Sequence, residues 1–455
     1  MYVNYVFNVL MYFYLQRRAV DMTTTQALGL EDQTGYKNRV VQLILGIICM
    51  AMIANLQYGW TLFVNPIHEK MGWAKAAIQV SFSIFVLTET WLTPIEGWLV
   101  DKFGPRPIML IGGVLVGLSW IVNSMASTLP MLYFGGLLAG IGGGCVYGTS
   151  VGLALKRFPD KRGVAAGWTA FGFGAGAALT IIPIAHMVHA GGYQTAFFDF
   201  GLIQGAIIIV ISLFITRPQV TAKAAVTTRA NTQSSVDYTP GMMLKTPVFW
   251  VMYVLFVLIA AGGLMAVAQI GPIAKDYGLA HIPMIYFGAT LPLLTVALSI
   301  NNLCNGFTRP LTGWISDKIG RENTMTLMFG LQAVAMLGLM TVGHSPTIFI
   351  LCSALVFLAF GEIFAIFPAI SGDTFGPKNA TVNNAFLYTA KGTGSLLVPI
   401  ASVLKASTGS WHAAFIVAFC FAVAASLGAK FVLQPMRRRW FAETQGGGAS
   451  QPAAS

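Results

Sequence analysis

Apolar stretches of 18 or more residues recur along almost the whole 455-residue chain, each long enough to cross a hydrocarbon layer about 30 Å thick as a helix. In lipid every backbone N–H and C=O needs an internal partner, so only helices and closed barrels can span it. Barrel strands alternate apolar and lumen-facing residues. These runs are too long and too uniformly apolar for that pattern, which predicts an all-α membrane protein. Twelve candidate spans lie near 40–63, 76–100, 108–126, 130–155, 163–188, 194–216, 247–274, 284–315, 323–342, 346–370, 380–405 and 411–433. Charged residues make up 9% of the chain, against about 25% in a soluble domain. The mean hydropathy is +0.70. A secreted enzyme, a nucleic-acid module and a disordered scaffold are excluded.

The long polar connection between the sixth and seventh spans divides the chain. Residues 40–216 and 247–433 read as two six-helix halves joined by a cytoplasmic linker, 217–246. Residues 1–39 form an N-terminal cytoplasmic segment, and 434–455 a flexible cytoplasmic tail. Within the first segment, residues 1–21 are too short for a span and have no basic stretch before them. They read either as an interfacial segment or as the product of an upstream start, with Met22 the true first residue.

The net charge of +11 is mostly topology. With both termini in the cytoplasm, twenty Lys and Arg residues fall inside, and only Lys70, Lys75, Lys275 and Lys405 outside. That distribution satisfies the positive-inside rule and places the chain as a multi-pass protein of a bacterial-type cytoplasmic membrane. No nucleic-acid partner is needed to explain the basic excess. The five cysteines all lie in spans without paired spacing and read as small apolar residues.

The two halves repeat each other. Gly97-Trp98-Leu99-Val100-Asp101-Lys102-Phe103-Gly104-Pro105-Arg106 returns as Gly313-Trp314-Ile315-Ser316-Asp317-Lys318-Ile319-Gly320-Arg321, an offset of 216. Phe158-Pro159-Asp160-Lys161 returns as Phe375-Gly376-Pro377-Lys378 at 217. Each motif follows an even-numbered span, which indicates a duplicated six-helix unit. In the first, Gly97 and Gly313 would let helices approach, Asp101 and Asp317 would pair with basic groups, and Gly104 and Gly320 would permit the reversal. This loop pattern resembles the major facilitator superfamily. The resemblance implies twelve helices in two pseudo-symmetric halves that rock about a site near the membrane midplane. No H-E-x-x-H, paired-cysteine motif or P-loop suggests metal hydrolysis or ATP-driven pumping, and no cofactor or catalytic residue is expected. The glycines Gly142-Gly143-Gly144 and Gly172, Gly174, Gly176 sit inside spans and read as close helix contacts.

A charge at the bilayer centre costs about 2.5–3.5 kcal/mol, so each one needs a reason. The candidates are Glu89, Arg309, Glu362 and Lys391. Glu96 and Lys430 lie nearer span ends and read as loop-anchoring or snorkelling groups. Arg309 precedes Asp317 by eight residues, about 12 Å of helix. Two explanations stand side by side: each cation is neutralised by Glu89 or Glu362, or the two cations together meet an anion. Their repeat mates are Thr93 and Gly174, so a cationic site would be confined to the second half. Gln57, Tyr58, Tyr147, Phe173, Phe360, Phe364 and Tyr388 would supply walls that size and dehydrate a small anion, Tyr147 and Phe364 being repeat mates.

Gln57-Tyr58-Gly59-Trp60-Thr61-Leu62, Phe158-Pro159-Asp160-Lys161-Arg162-Gly163, Asn302-Leu303-Cys304-Asn305-Gly306-Phe307-Thr308-Arg309-Pro310 and Ala390-Lys391 resemble the oxalate:formate antiporter family from about Asn38 to Pro435. The resemblance implies Arg309 and Lys391 as carboxylate ligands, with the aromatics caging the carbon skeleton. Against the family pattern, Phe360 and Tyr388 replace tryptophans and Phe364 a tyrosine, removing hydrogen-bond donors. Glu362 stands for a small residue and Glu89 for an amide. The expected function is exchange of a small dicarboxylate such as oxalate for a monocarboxylate such as formate, by a protein functional as a monomer. Two fixed cations would oppose closure when empty and so make exchange obligatory. The alternative is proton-coupled symport of lactate, pyruvate or formate, with Glu89 or Glu362 holding the proton. A non-transporting carboxylate sensor would need a signalling domain, which 434–455 is too short to supply. The expected partners are therefore small carboxylates, the bilayer and, for symport, protons.

Overall fold

The computed structural model describes residues 38–158, 162–217, 234, 236–286, 288–376 and 379–446. In chain order the helices are α1 (Arg39–Tyr58), α2 (Thr61–Met71), α3 (Lys75–Trp91), α4 (Thr93–Phe103), α5 (Pro105–Ser124), α6 (Leu129–Arg157), α7 (Arg162–Ser212), α8 (Pro240–Met243) and α9 (Pro247–Asp276). A hairpin, β1 (Pro283–Tyr286) and β2 (Ala289–Pro292), precedes α10 (Leu293–Ile319). Then come α11 (Arg321–Val342), α12 (Pro346–Gly361), α13 (Ile363–Phe375), α14 (Ala380–Ser395), α15 (Val398–Thr408), α16 (His412–Gly428), a π-helical turn and α17 (Gln434–Gly446). Side-chain oxygens start several of them: Asn38 accepts from the Val40 N–H, and Thr246 from that of Phe249.

Helix occupies each of the twelve apolar segments. Among the described residues, however, only eight helices are long and apolar enough to cross a membrane, or nine if α3 and Thr93–Val100, bent by 45°, form one span. Pro94 supplies the cause of that bend, because it has no N–H to donate to the preceding turn. The remaining shortfall is physical. Arg162–Ser212 is broken at Gly192 (φ 80°, ψ 164°) into two helices. Asn301, Asn302, Asn305 and Arg309 dilute α10, while the eleventh segment is split between α14 and α15, with Asn383, Asn384 and Lys391 in α14. The least apolar segments are thus the two that carry the candidate cations.

The repeat survives in the backbone. Gly104 (φ 93°, ψ 166°) and Gly320 (φ 91°, ψ 156°) make the same turn at the offset read from sequence. A side chain there would meet the steric penalty of the left-handed region. Lys102 lies over the Trp98 ring at 4.7 Å, and Lys318 over Trp314 at 3.8 Å. Arg321 pairs with Asp373 at 3.1 Å, whereas Arg106 is exposed. The side chains of Asp101 and Asp317 lie outside the described residues, as do Pro159, Asp160, Lys161, Pro377, Lys378 and all of 1–37.

Four expectations are corrected. The eighth span begins at Leu293 rather than 284, because Pro283 and Pro292 close a two-stranded hairpin. A Cβ added to Gly97 or Gly313 would meet nothing within 4 Å, so neither glycine mediates a helix contact. Glu96 is buried and accepts the Cys145 thiol at 3.9 Å instead of anchoring a loop. The stretch after 433 is helical to Gly446, held by Arg437, which pairs with Glu322 and donates to Thr374. All five cysteines are free thiols, but Cys420 is exposed on the apolar face and Cys304 half-exposed.

The halves meet along α3 with α14 and α15, α7 with α10, and α2 with α9. Two close crossings set the geometry. A Cβ on Gly174 would lie 2.6 Å from the Gly306 Cα, and one on Gly392 would lie 2.1 Å from the Thr90 hydroxyl oxygen. Only hydrogen fits at either point. At one end of the molecule the four lysines expected outside cluster together: Lys75 and Lys405 flank Asp276 at 3.7 and 3.6 Å, Lys275 pairs with Glu69, and Lys70 meets Gln194. Gln79 donates across the halves to the Ala268 carbonyl at 2.8 Å, and the Gly271 N–H donates to Thr61 at 2.7 Å.

Candidate functional site

The α7–α10 crossing fixes Arg309. One turn beyond Gly306, the guanidinium is 2% exposed and spans both halves. It donates to the Ala170 carbonyl at 2.7 Å, to Asn305 Oδ1 at 3.1 Å and to the Tyr58 hydroxyl at 3.4 Å. The Tyr58 hydroxyl donates in turn to Asn305 Oδ1 at 2.8 Å. Among the described residues Arg309 has no carboxylate partner, and its Nε–H is unbonded. Phe364 lies under the guanidinium at 4.4 Å from the ring centroid, and Phe173 at 5.9 Å. Such contacts soften the desolvation of a cation without neutralising it.

The α3–α14 crossing fixes the other pair. Thr90 meets Gly392, so their chain neighbours Glu89 and Lys391 face each other. Lys391 Nζ is 2.7 Å from Glu89 Oε2, with both side chains 1% exposed. Lys391 also donates to the Tyr388 hydroxyl at 3.2 Å. Glu89 Oε1 has no partner among the described residues. Lys391 shares the Phe364 ring with Arg309, 5.4 Å from its centroid, which puts the two cations within about 10 Å of each other.

Aromatic rings enclose this centre. Tyr147 stacks on Tyr388 at 5.4 Å and meets Phe173 edge-on at 6.2 Å; Tyr58 meets Phe173 at 5.3 Å. Phe364 contacts Tyr388 at 6.2 Å and Phe360 at 5.6 Å. The repeat mates Tyr147 and Phe364 are half-buried, the others buried. Of the residues singled out in the sequence, Arg309, Lys391, Glu89, Tyr58, Tyr147, Phe173, Phe364 and Tyr388 therefore form one cluster. Phe360 meets the cluster through the Phe364 ring and fills the space left by Gly263. Gln57 is buried with neither amide atom bonded, and Glu362 is buried at the α12–α13 break with neither oxygen bonded among the described residues. Neither one forms a hydrogen bond or ion pair with the cations. Sequence reasoning missed Asn305, the hinge of the Arg309 network, although it lies four residues before Arg309 and hence on the same helix face.

The Major Facilitator Superfamily profile matches residues 43–345 and again 280–453. Over 403 residues the chain is 36% identical to the oxalate:formate antiporter of Oxalobacter formigenes, covering 88% of this chain and 93% of that one. It belongs to the major facilitator superfamily, in the family of that antiporter. Mouse monocarboxylate transporter 11 is 25% identical over 358 residues, covering 73% of this chain and 74% of its own. A bacterial homolog of the human lysosomal transporter Spinster, solved inward-facing and unoccupied, superposes with a TM-score of 0.61 at 12% identity over 92% of this chain and all of that one. This member of the superfamily is thus a helical membrane transporter of small anions rather than an enzyme.

Proposed function

We propose that this transporter carries small carboxylates across the cytoplasmic membrane by alternating access, through twelve spans with both termini inside, and that the substrate carboxylate binds Arg309. The observation that carries this reading is a buried guanidinium at the junction of the halves that, among the described residues, is bonded only to neutral groups. An isolated cation there is costly, and a carboxylate would supply both the missing charge and an acceptor for the free Nε–H. Rocking the halves apart pulls Arg309 from Ala170 and Tyr58. The empty carrier would then bury a less-solvated cation, so turnover is favoured with an anion aboard on each leg, as exchange. The 36%-identical relative, an oxalate:formate antiporter, supports exchange of small carboxylates.

One observation favours the second reading, transport of monocarboxylates. Lys391 is already paired with Glu89, leaving one uncompensated cation instead of two. Counterflow in proteoliposomes separates the couplings. Labelled uptake that requires unlabelled carboxylate inside and no pH gradient supports exchange, whereas uptake into empty vesicles driven by an imposed proton gradient supports symport.

A further inference from the structure

Resting on that function, we infer that Glu89 is a tethered carboxylate seated in the second anion subsite, and that it restricts the transporter to substrates with a single carboxylate. The chain holds its own occupant for Lys391: a carboxylate oxygen 2.7 Å from the ammonium, both groups fully enclosed. The ammonium also donates to Tyr388, so two of its three protons are engaged without any ligand. The Arg309 side of the same aromatic cage offers the opposite situation, a guanidinium whose hydrogen-bond partners among the described residues are amide, phenol and carbonyl oxygens.

A monocarboxylate bound at Arg309 neutralises the remaining charge and leaves the Glu89–Lys391 pair undisturbed. A dicarboxylate that uses both cations has to seat its second carboxylate on Lys391, which lies within about 10 Å of Arg309 and is already occupied by Glu89. It must then displace Glu89, leaving that carboxylate buried and unpaired, or bring two like charges together in a site closed to water. Either route is unfavourable by the desolvation of a stranded ion. The pairing is set by the helix crossing: a Cβ at Gly392 would collide with the Thr90 hydroxyl, so glycine is what lets α3 and α14 approach closely enough for Glu89 to meet Lys391.

The test compares self-exchange of labelled formate and labelled oxalate in proteoliposomes for wild type, Glu89→Gln and the Glu89→Gln/Lys391→Met double variant. Wild type is expected to exchange formate at least about tenfold faster than oxalate, equivalent to about 1.4 kcal/mol. Glu89→Gln frees Lys391 and raises the oxalate-to-formate ratio by about tenfold or more. The double variant, neutral at both positions, loses the gain, its oxalate-to-formate ratio returning to about that of wild type. An unchanged ratio in monodisperse Glu89→Gln overturns the inference, as does a wild type that exchanges oxalate as fast as formate. If Glu89→Gln does not fold, the wild-type ratio and the double variant decide alone. A wild type that carries no C1 to C4 carboxylate defeats the proposed function itself, and this inference with it.

Discussion

Arg309 and Lys391 share one aromatic ring, and both are sealed from water, yet their charges are handled in opposite ways. Lys391 sits in an ion pair that the fold completes unaided. Arg309 sits among neutral acceptors, its charge distributed but not cancelled. The difference teaches that two cations at matched depth need not form one symmetric dianion site. One is neutralised by the fold itself at the α3–α14 crossing; the other, at the α7–α10 crossing, has no carboxylate partner among the described residues. Because each crossing joins the two halves, both charges register whether the halves are together or apart.

That contrast can be broken by substitution. Lys391→Ala strands Glu89 as a buried unpaired charge, and is expected to destabilise the protein by about 3–5 kcal/mol. Thermal unfolding in detergent reads this, and Glu89→Gln/Lys391→Met should recover most of the loss, since a neutral pair has no stranded ion. Arg309→Ala should do the reverse: stability held or raised, but exchange cut by about 100-fold, from loss of charge-assisted bonds worth about 1.5–3 kcal/mol each. A Lys391→Ala protein as stable as wild type would show that the ion pair is not structural. Tyr58→Phe removes one hydroxyl from the Arg309–Asn305 network, a loss of about 1 kcal/mol and so about fivefold in exchange. Smallest is Asp276→Asn at the outer cluster. Its two lysine pairs are partly exposed, worth about 0–1 kcal/mol each, so exchange should change by at most about threefold, lessening further in high salt.

How much of this was legible in the sequence depended on which contacts are local. The helical segments and the repeat follow from hydropathy and one offset, and the structure makes the reversals at Gly104 and Gly320 with matching dihedrals. The hairpin at Pro283–Pro292 hid inside an apolar run, since apolar content alone does not distinguish a short strand pair from the first turns of a helix. Arg309 and Lys391 stood out because buried charge is costly wherever it occurs. Which carboxylate answered which cation was not readable, because the pairing of Glu89 with Lys391 is 302 positions apart and depends on a helix crossing. Glu362 looked equally eligible by depth, yet the α12–α13 break leaves it without a bonded partner among the described residues.

The central claim is that Arg309, and not Lys391, holds the charge awaiting a ligand. Calorimetric titration of formate into purified protein, compared with the Arg309→Gln and Glu89→Gln/Lys391→Met variants, addresses it most directly. Saturable one-to-one binding in wild type and in the double variant, abolished in Arg309→Gln, is the predicted result. Binding that survives Arg309→Gln and disappears in the double variant would contradict it.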